Sequence, residues 1–280
     1  MHALKLLKYC CKLWGCIVMV SCSTAMAAGA PSASVFVEDL TSLELKERVT
    51  AGTTTVLIPI GGTEQNGPHM AIGKHNVRVK FLAGQIAQRL GNAVVAPVIA
   101  YVPEGTISPP VAHMRFSGTI SIPESTFESM LESTANSFMQ HGFHDVVFLG
   151  DHGGYQRNEV SAANRINKKL GSAASFRAYA LTAFYEAAQT PFNQALRGKG
   201  FTDGEIGSHA GLSDTSLTLA IDKSLVRPDL MAEGFKTGQA GGVTGDPRKS
   251  SPELGKIGVQ IIVDRSVQAI QEAIRQRTNR

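Results

Sequence analysis

Residues 56–76 of this chain read VLIPIGGTEQNGPHMAIGKHN, and the rest of the sequence is organised around them. An apolar run at 56–60 ends in Gly61 and Gly62, which indicates a buried strand followed by a turn. The polar segment after the turn carries Glu64, Asn66, His69 and His75. Open α/β sheets bind their ligands at the carboxyl ends of strands. The segment is therefore a candidate metal or acid–base site.

The same pattern, an apolar run that leads into a polar loop, recurs at 145–150, where the loop begins with Asp151 and His152. A carboxylate beside His152 is suited to orienting its ring. Further strands are predicted at 93–102 and 176–181, and helices at 42–51, 77–90 (with Asn76 as its N-cap), 124–141, 156–170 and near the C-terminus. The stretch 184–206 is predicted as an irregular excursion. Alternating strands and helices predict a single α/β domain whose mainly parallel sheet is covered on both faces.

The N-terminus has the pattern of a secretory signal peptide. Lys5, Lys8 and Lys12 precede an apolar run at 13–20, and small residues follow at 25–27. The run is shorter than the ~20 residues that span a bilayer, so no membrane span is predicted. We expect a signal peptide at 1–27, a linker at 28–35 and a domain at 36–280 that is exported to the periplasm. The alternative is a lipoprotein anchored through Cys22.

Composition excludes several classes of protein. The chain has 280 residues, of which 43% are apolar and 18% charged, as in ordinary globular domains. All four cysteines lie before residue 28, so the processed chain has no disulfide or thiolate site. Removing the three lysines of the leader from 27 basic residues leaves 24 against 23 acidic ones. No cluster of basic residues suited to phosphate contacts is present, so nucleic acid is not an expected partner.

Four segments resemble the creatininase (creatinine amidohydrolase) family. They are Glu64-Gln65-Asn66-Gly67-Pro68-His69, His113-Met114-Arg115-Phe116-Ser117-Gly118-Thr119-Ile120-Ser121, His152-Gly153-Gly154 and His209-Ala210-Gly211-Leu212-Ser213-Asp214-Thr215-Ser216. The resemblance implies a three-layer α/β/α sandwich, hydrolysis of a non-peptide C–N bond in a small linear or cyclic amide, and a divalent metal, Zn or Mn. It also suggests a homo-oligomer, with a hexamer as the candidate form.

At two positions the residue in this sequence differs from the metal ligand of the family. Asn66 stands where the family has a histidine, and His75 stands where it has an aspartate that bridges two metals. Asparagine binds transition metals poorly, and an imidazole nitrogen has one lone pair and does not bridge. The resemblance therefore implies a metal set of Glu64, His75, His152, Asp214 and Asn66 that holds one ion rather than two, because three protein ligands and a water suffice for catalysis.

Catalytic roles are expected for Asp214, His209 and His69, with a carboxylate such as Asp214 passing a proton to the leaving nitrogen. His113 and Arg115 lie in a resembling segment but are given no assigned role. Asn66 and His75 leave a different class open: a catalytically degenerate periplasmic binding or scaffold protein that keeps the fold and binds no metal.

Overall fold

The computed structural model describes residues 34–171 and 174–278, so the expected signal peptide at 1–27 lies outside the described residues. Four strands form one parallel sheet in the order β2-β1-β3-β4. The strands are β1 (Thr55–Ile60), β2 (Ala93–Val95), β3 (Asp145–Gly150) and β4 (Arg177–Ala180). The central strands β1 and β3 are buried along their whole length, as expected for a parallel sheet covered on both faces.

Helices cover both faces of this sheet. They are α1 (Ser42–Thr50), α2 (Lys74–Leu90), α3 (Glu124–Gln140), α4 (Gln156–Leu170), α5 (Thr182–Gln189), α6 (Pro191–Arg197), α7 (Asp203–Ile206), α8 (Leu212–Ile221), α9 (Met231–Thr237) and α10 (Pro252–Thr278). Alternate residues of β1 enter different apolar clusters: Leu57 packs with α2, α5, α8 and α10, and Val56 and Ile58 pack with α3 and α4. The predicted three-layer α/β/α fold is confirmed.

Three expectations about local structure were wrong. The second strand ends at Val95 rather than at 102, because Pro97 lacks the N–H that a ladder needs. The helix expected at 77–90 already begins at Lys74, and Asn76 is not its N-cap: the side chain of Asn76 accepts a hydrogen bond from the Gly62 N–H instead. The excursion at 184–206 contains most of α5 and all of α6 and α7.

The chain after β2 stays beside β1 although it leaves the regular ladder. The Ala96 N–H donates to the Leu57 carbonyl at 2.8 Å, and the Ile99 N–H donates to the Pro59 carbonyl at 3.0 Å. This segment therefore runs to the carboxyl edge of the sheet, where the loop after β1 also lies. Among the described residues, no helix combines the length and the apolar character that a bilayer crossing requires.

Candidate metal and active site

Two carboxylates from different segments meet at the carboxyl edge of the sheet. Glu64 follows β1, and Glu104 follows the segment that runs beside it; both are buried, at 0% and 4% exposure. Gly62 makes room for the second carboxyl group: its φ is +146°, and a Cβ there would lie 2.6 Å from Glu104 Oε1. The glycine turn predicted from the sequence thus has a steric reason.

Four imidazoles surround the carboxylate of Glu64. His75 Nε2 lies 2.8 Å from Glu64 Oε1, His113 Nε2 lies 3.2 Å from Oε2, and His152 Nε2 lies 3.4 Å from Oε2. His209 Nδ1 is further away, 3.8 Å from Oε1. The loop after β1, the short helical turn Ala112–Arg115 and the loop after β3 therefore converge on one point.

His75 has both ring nitrogens engaged. Its Nδ1 lies 2.6 Å from Asp151 Oδ2, and its Nε2 faces Glu64. Both distances are within hydrogen-bonding range, and Arg78 Nη2 also lies 3.1 Å from Nδ1. Asp151 thus orients His75, whereas the sequence suggested that it orients the ring of His152.

Two buried cations lie one turn apart on α2, beside this cluster. Lys74 pairs with Asp214 Oδ2, and Arg78 donates to Asp214 Oδ1 at 2.6 Å and to Asp151 Oδ2 at 2.7 Å. Both oxygens of Asp214 are therefore held by basic side chains. These contacts outweigh the effect of burial and keep the pKa of Asp214 well below its ordinary value.

A cavity of about 370 Å³ opens onto the cluster, within the size range of small-molecule sites. Charged groups, imidazoles and neutral polar groups all line it. The lining includes Gln65, Lys74, His75, Arg78, His113, Arg115, Asp151, His152, Tyr185, Ser208, His209, Ser213, Asp214, Gln239 and Thr244. The site is thus accessible to a small polar molecule.

Burial sets the protonation of the groups around the cavity. It lowers the pKa of His152 to about 3 and that of His209 to about 4, so both rings are neutral at pH 7 and keep a lone pair. Burial, together with the negative charge of Glu64, raises the pKa of Glu104 to about 9. Burial would also raise the pKa of Glu64, but His152 and the hydrogen bond from His75 hold it below its ordinary value.

The residues present fit a divalent cation. Glu64, Glu104, His113 and His152 each offer a ligand atom, and these atoms all lie within 4.8 Å of one another. Among the described residues, Glu64 Oε2 and both carboxyl oxygens of Glu104 have no hydrogen-bond partner. Buried carboxylate oxygens without a donor are costly unless they are protonated or a cation binds them, and a mixed set of carboxylates and imidazoles suits Zn or Mn.

The structure brings together Glu64, His75 and His152, as the sequence predicted, and it adds Glu104 and His113. Sequence reasoning assigned no role to Glu104, although this residue directly follows the apolar run at 93–102, much as Glu64 follows β1. The buried cations Lys74 and Arg78 were also missed, because an amphipathic pattern does not reveal charges on the buried face of a helix.

Two predicted site residues lie elsewhere. The Asn66 side chain donates to the carbonyls of Glu64 and Ala71, so its amide nitrogen supports the loop. His69 is fully buried, with Nε2 3.1 Å from Thr215 Oγ1, and it is not among the residues that line the cavity. This geometry gives His69 a role in joining the β1 loop to α8 rather than a contact with substrate.

Fold and site together define the class of the protein: a parallel α/β/α protein with a carboxylate–imidazole centre at the carboxyl edge of its sheet. The sequence profile of the creatininase family, described as creatinine amidohydrolase, matches residues 38–270. The chain belongs to the creatininase family, as the motifs predicted.

Relatives within this family carry different names. The creatinine amidohydrolase of Pseudomonas putida is 27% identical over 204 residues, which cover 72% of this chain and 77% of the relative. The mycofactocin precursor peptide peptidase of Mycolicibacterium smegmatis is 34% identical over 104 residues, covering 35% of this chain and 39% of the relative. The 3-dehydro-scyllo-inosose hydrolase of Thermotoga maritima is 28% identical over 120 residues, covering 42% and 36%. These relatives are all named as hydrolases, of different substrates.

Solved creatininase structures share the fold. One is described as creatininase Mn and has a TM-score of 0.72 at 26% identity, covering 86% of this chain and 99% of that chain. A creatininase variant described as Zn-Zn type has a TM-score of 0.71 at 26% identity, covering 87% and 99%.

Proposed function

We propose that this protein is a metal-dependent amidohydrolase that cleaves a C–N bond in a small linear or cyclic amide. The observation that carries the proposal is the set of unpartnered carboxyl oxygens of Glu64 and Glu104 among the described residues, which lie against imidazoles that line a cavity of about 370 Å³. Membership of a family with hydrolase relatives supports the reaction class.

Glu64 and His152 would take part in holding the ion, because family resemblance and geometry agree on these two residues. When bound, a divalent cation in such a site lowers the pKa of a coordinated water and polarises a carbonyl group. His75, itself held by Asp151, fixes the orientation of the Glu64 carboxylate.

His209 is better placed than Asp214 to move a proton. Its Nε2 donates to the Gln65 carbonyl at 2.9 Å, so Nδ1 keeps the lone pair and lies on the side of Glu64. Asp214, by contrast, has both oxygens held by Lys74 and Arg78. We assign proton transfer to the leaving nitrogen to His209 and an anchoring role to Asp214.

The neutral polar side chains of the cavity suit an amide rather than a highly charged substrate. Ser208, Ser213 and Thr244 line the cavity together with Gln239, and each offers hydrogen-bonding groups. The departures at Asn66 and His75 argue against creatinine itself. Because some relatives are named as peptide peptidases, a short peptide belongs in the substrate screen beside non-peptide amides.

We further propose that the protein acts in the periplasm and forms a homo-oligomer. The first proposal rests on the leader pattern at 1–27, and the second rests on the family resemblance.

The test is metal analysis of the purified protein together with a screen of linear amides, cyclic amides and short peptides. We expect bound Zn or Mn and metal-dependent hydrolysis, with His152→Ala reducing the rate at least ~100-fold because a ligand is lost. His141→Ala is the matched control, since this histidine is exposed at the end of α3 and lies outside the cavity.

A second candidate function follows from Asn66 and His75: a binding or scaffold protein without metal. A reconstituted protein that binds no metal and hydrolyses none of the amides would support that function and contradict the first.

A further inference from the structure

The buried carboxyl groups of the site differ in the side chains that pair with them, and this difference bears on the number and position of metal ions. Four carboxyl groups lie close together: Glu64, Glu104, Asp151 and Asp214. Asp151 is contacted by Arg78, and Asp214 is contacted by both Arg78 and Lys74. Within the described residues, no lysine or arginine pairs with Glu64 or Glu104. One half of the site is thus paired with lysine and arginine, whereas the carboxyl groups of the other half are contacted by histidines.

The unneutralised half has the ligands for one ion. Glu104 Oε2 lies 3.6 Å from His152 Nδ1, and His113 and His152 both approach Glu64 Oε2. His75 lies outside this set, because the ligand atoms within 4.8 Å of one another belong to Glu64, Glu104, His113 and His152, whereas His75 contacts Asp151 and the other oxygen of Glu64. Asn66 directs its amide nitrogen to two backbone carbonyls. The amide nitrogen of Asn66 is thereby engaged, while its Oδ1, the atom through which an amide binds a cation, has no hydrogen-bond partner among the described residues.

We propose that the protein binds a single divalent cation between Glu64, Glu104, His113 and His152, and that the side chains of Lys74 and Arg78 supply the positive charge in the other half of the site. In the family, the second carboxylate ligand is the aspartate at the position of His75. In this protein, Glu104 supplies that carboxylate. This inference rests on the proposed function for the presence of a metal, but it concerns the number of ions and their ligands.

The test is Zn²⁺ binding to the chelator-treated protein, measured by titration against a chromophoric competitor and by metal content after dialysis. We expect about one Zn²⁺ per chain. Glu104→Gln keeps the shape of the side chain but removes the ligand charge, so it should weaken Zn²⁺ binding at least ~100-fold, more than loss of an outer-shell partner does. With Co²⁺ in place of Zn²⁺, the visible spectrum of this variant should differ from that of the unmodified protein.

Glu159→Gln is the matched control. Glu159 is also a buried glutamate whose oxygens have no partner among the described residues, but it lies on α4 outside the ligand cluster. Its Zn²⁺ affinity should equal that of the unmodified protein. Loss of binding in Glu104→Gln alone therefore reports a ligand and not the removal of a buried carboxyl group.

Two Zn²⁺ per chain, or unchanged Zn²⁺ affinity in Glu104→Gln, would overturn the inference. If His152→Ala still abolished metal-dependent hydrolysis in that case, the proposed function would stand and only the single-ion inference would fail. If the unmodified protein bound neither Zn²⁺ nor Mn²⁺, both the inference and the proposed function would be overturned.

Discussion

Glu159 is a buried carboxyl group that the proposed chemistry does not use. It lies on α4 at 1% exposure, and neither of its oxygens has a hydrogen-bond partner among the described residues. Burial raises its pKa well above the ordinary value of 4.5. The folded chain therefore keeps this proton to a higher pH than the unfolded chain does.

This difference predicts a pH dependence of folding stability. The contribution of Glu159 is fully present below the unfolded pKa and is lost as pH rises towards the folded pKa, because the folded state binds the extra proton. Glu159→Gln mimics the protonated form, so it should raise the free energy of unfolding above the unfolded pKa. The gain should be about 1.4 kcal/mol for each pH unit above the unfolded pKa, and it should stop growing at the folded pKa.

Urea denaturation between about pH 5 and about pH 8 measures the effect. The gain should grow with pH. The exposed Glu47→Gln is the control and should leave the free energy of unfolding unchanged within about 0.5 kcal/mol. A gain that is the same at every pH would contradict the assignment of a raised pKa.

At the scale of elements, α2 connects the sheet edge to α8 through its buried cations. Arg78 is 6% exposed and bridges Asp151, after β3, to Asp214 on α8. Burying ionised groups is costly, and the cost is offset here because each aspartate has a cation with direct hydrogen bonds. The helix therefore holds the second loop of the site in place as well as packing on the core.

Removing this bridge should be strongly destabilising. Arg78→Met leaves two buried carboxylates with fewer partners, and we expect the free energy of unfolding to fall by about 3–5 kcal/mol, as for other broken buried pairs. Urea denaturation at neutral pH measures it. Adding Asp151→Asn should recover part of the loss, because one uncompensated charge is then removed.

Arg89→Met on the same helix is the matched control. Arg89 also pairs with an aspartate, Asp264, but the side chain of Arg89 is 51% exposed and solvent screens the pair. Its loss should cost less than about 1 kcal/mol. Equal effects at the two positions would show that the buried bridge is not a stabilising contact.

At the scale of the whole molecule, the proposed export predicts where the mature chain begins. The basic residues, the apolar run and the small residues at 25–27 predict cleavage after Ala27. Mass spectrometry of protein from a periplasmic extract should therefore find Ala28 at the N-terminus. Replacing Ala25 and Ala27 with bulky residues should retain the leader, and the matched control is the same replacement at Ala30 and Ser32, beyond the cleavage site.

The same mass spectrum also distinguishes cleavage after Ala27 from the lipoprotein alternative. A chain that begins at a lipid-modified Cys22 and fractionates with membranes would show a lipoprotein. A chain that retains Met1 in the cytoplasmic fraction would contradict export.

The layered fold and much of the site's location could be predicted from the order of residues alone. Continuous apolar runs such as 56–60 and 145–150 identify strands buried on both faces, and the polar residues after them mark the carboxyl edge of the sheet. The family motifs then led to Glu64 and His152. These are local signals, because periodicity reports how each short segment is buried.

Only the tertiary structure shows which charged groups are in contact. Glu104 joins Glu64 because the chain after β2 follows β1 beyond the regular ladder, and Lys74 reaches Asp214 across 140 positions of sequence. The availability of a ligand is likewise a property of its surroundings: His75 has a suitable side chain, but Asp151 and Glu64 engage both of its nitrogens. Hydrogen bonds and ion pairs depend on distances of a few ångströms between remote segments, and no spacing along the chain encodes them.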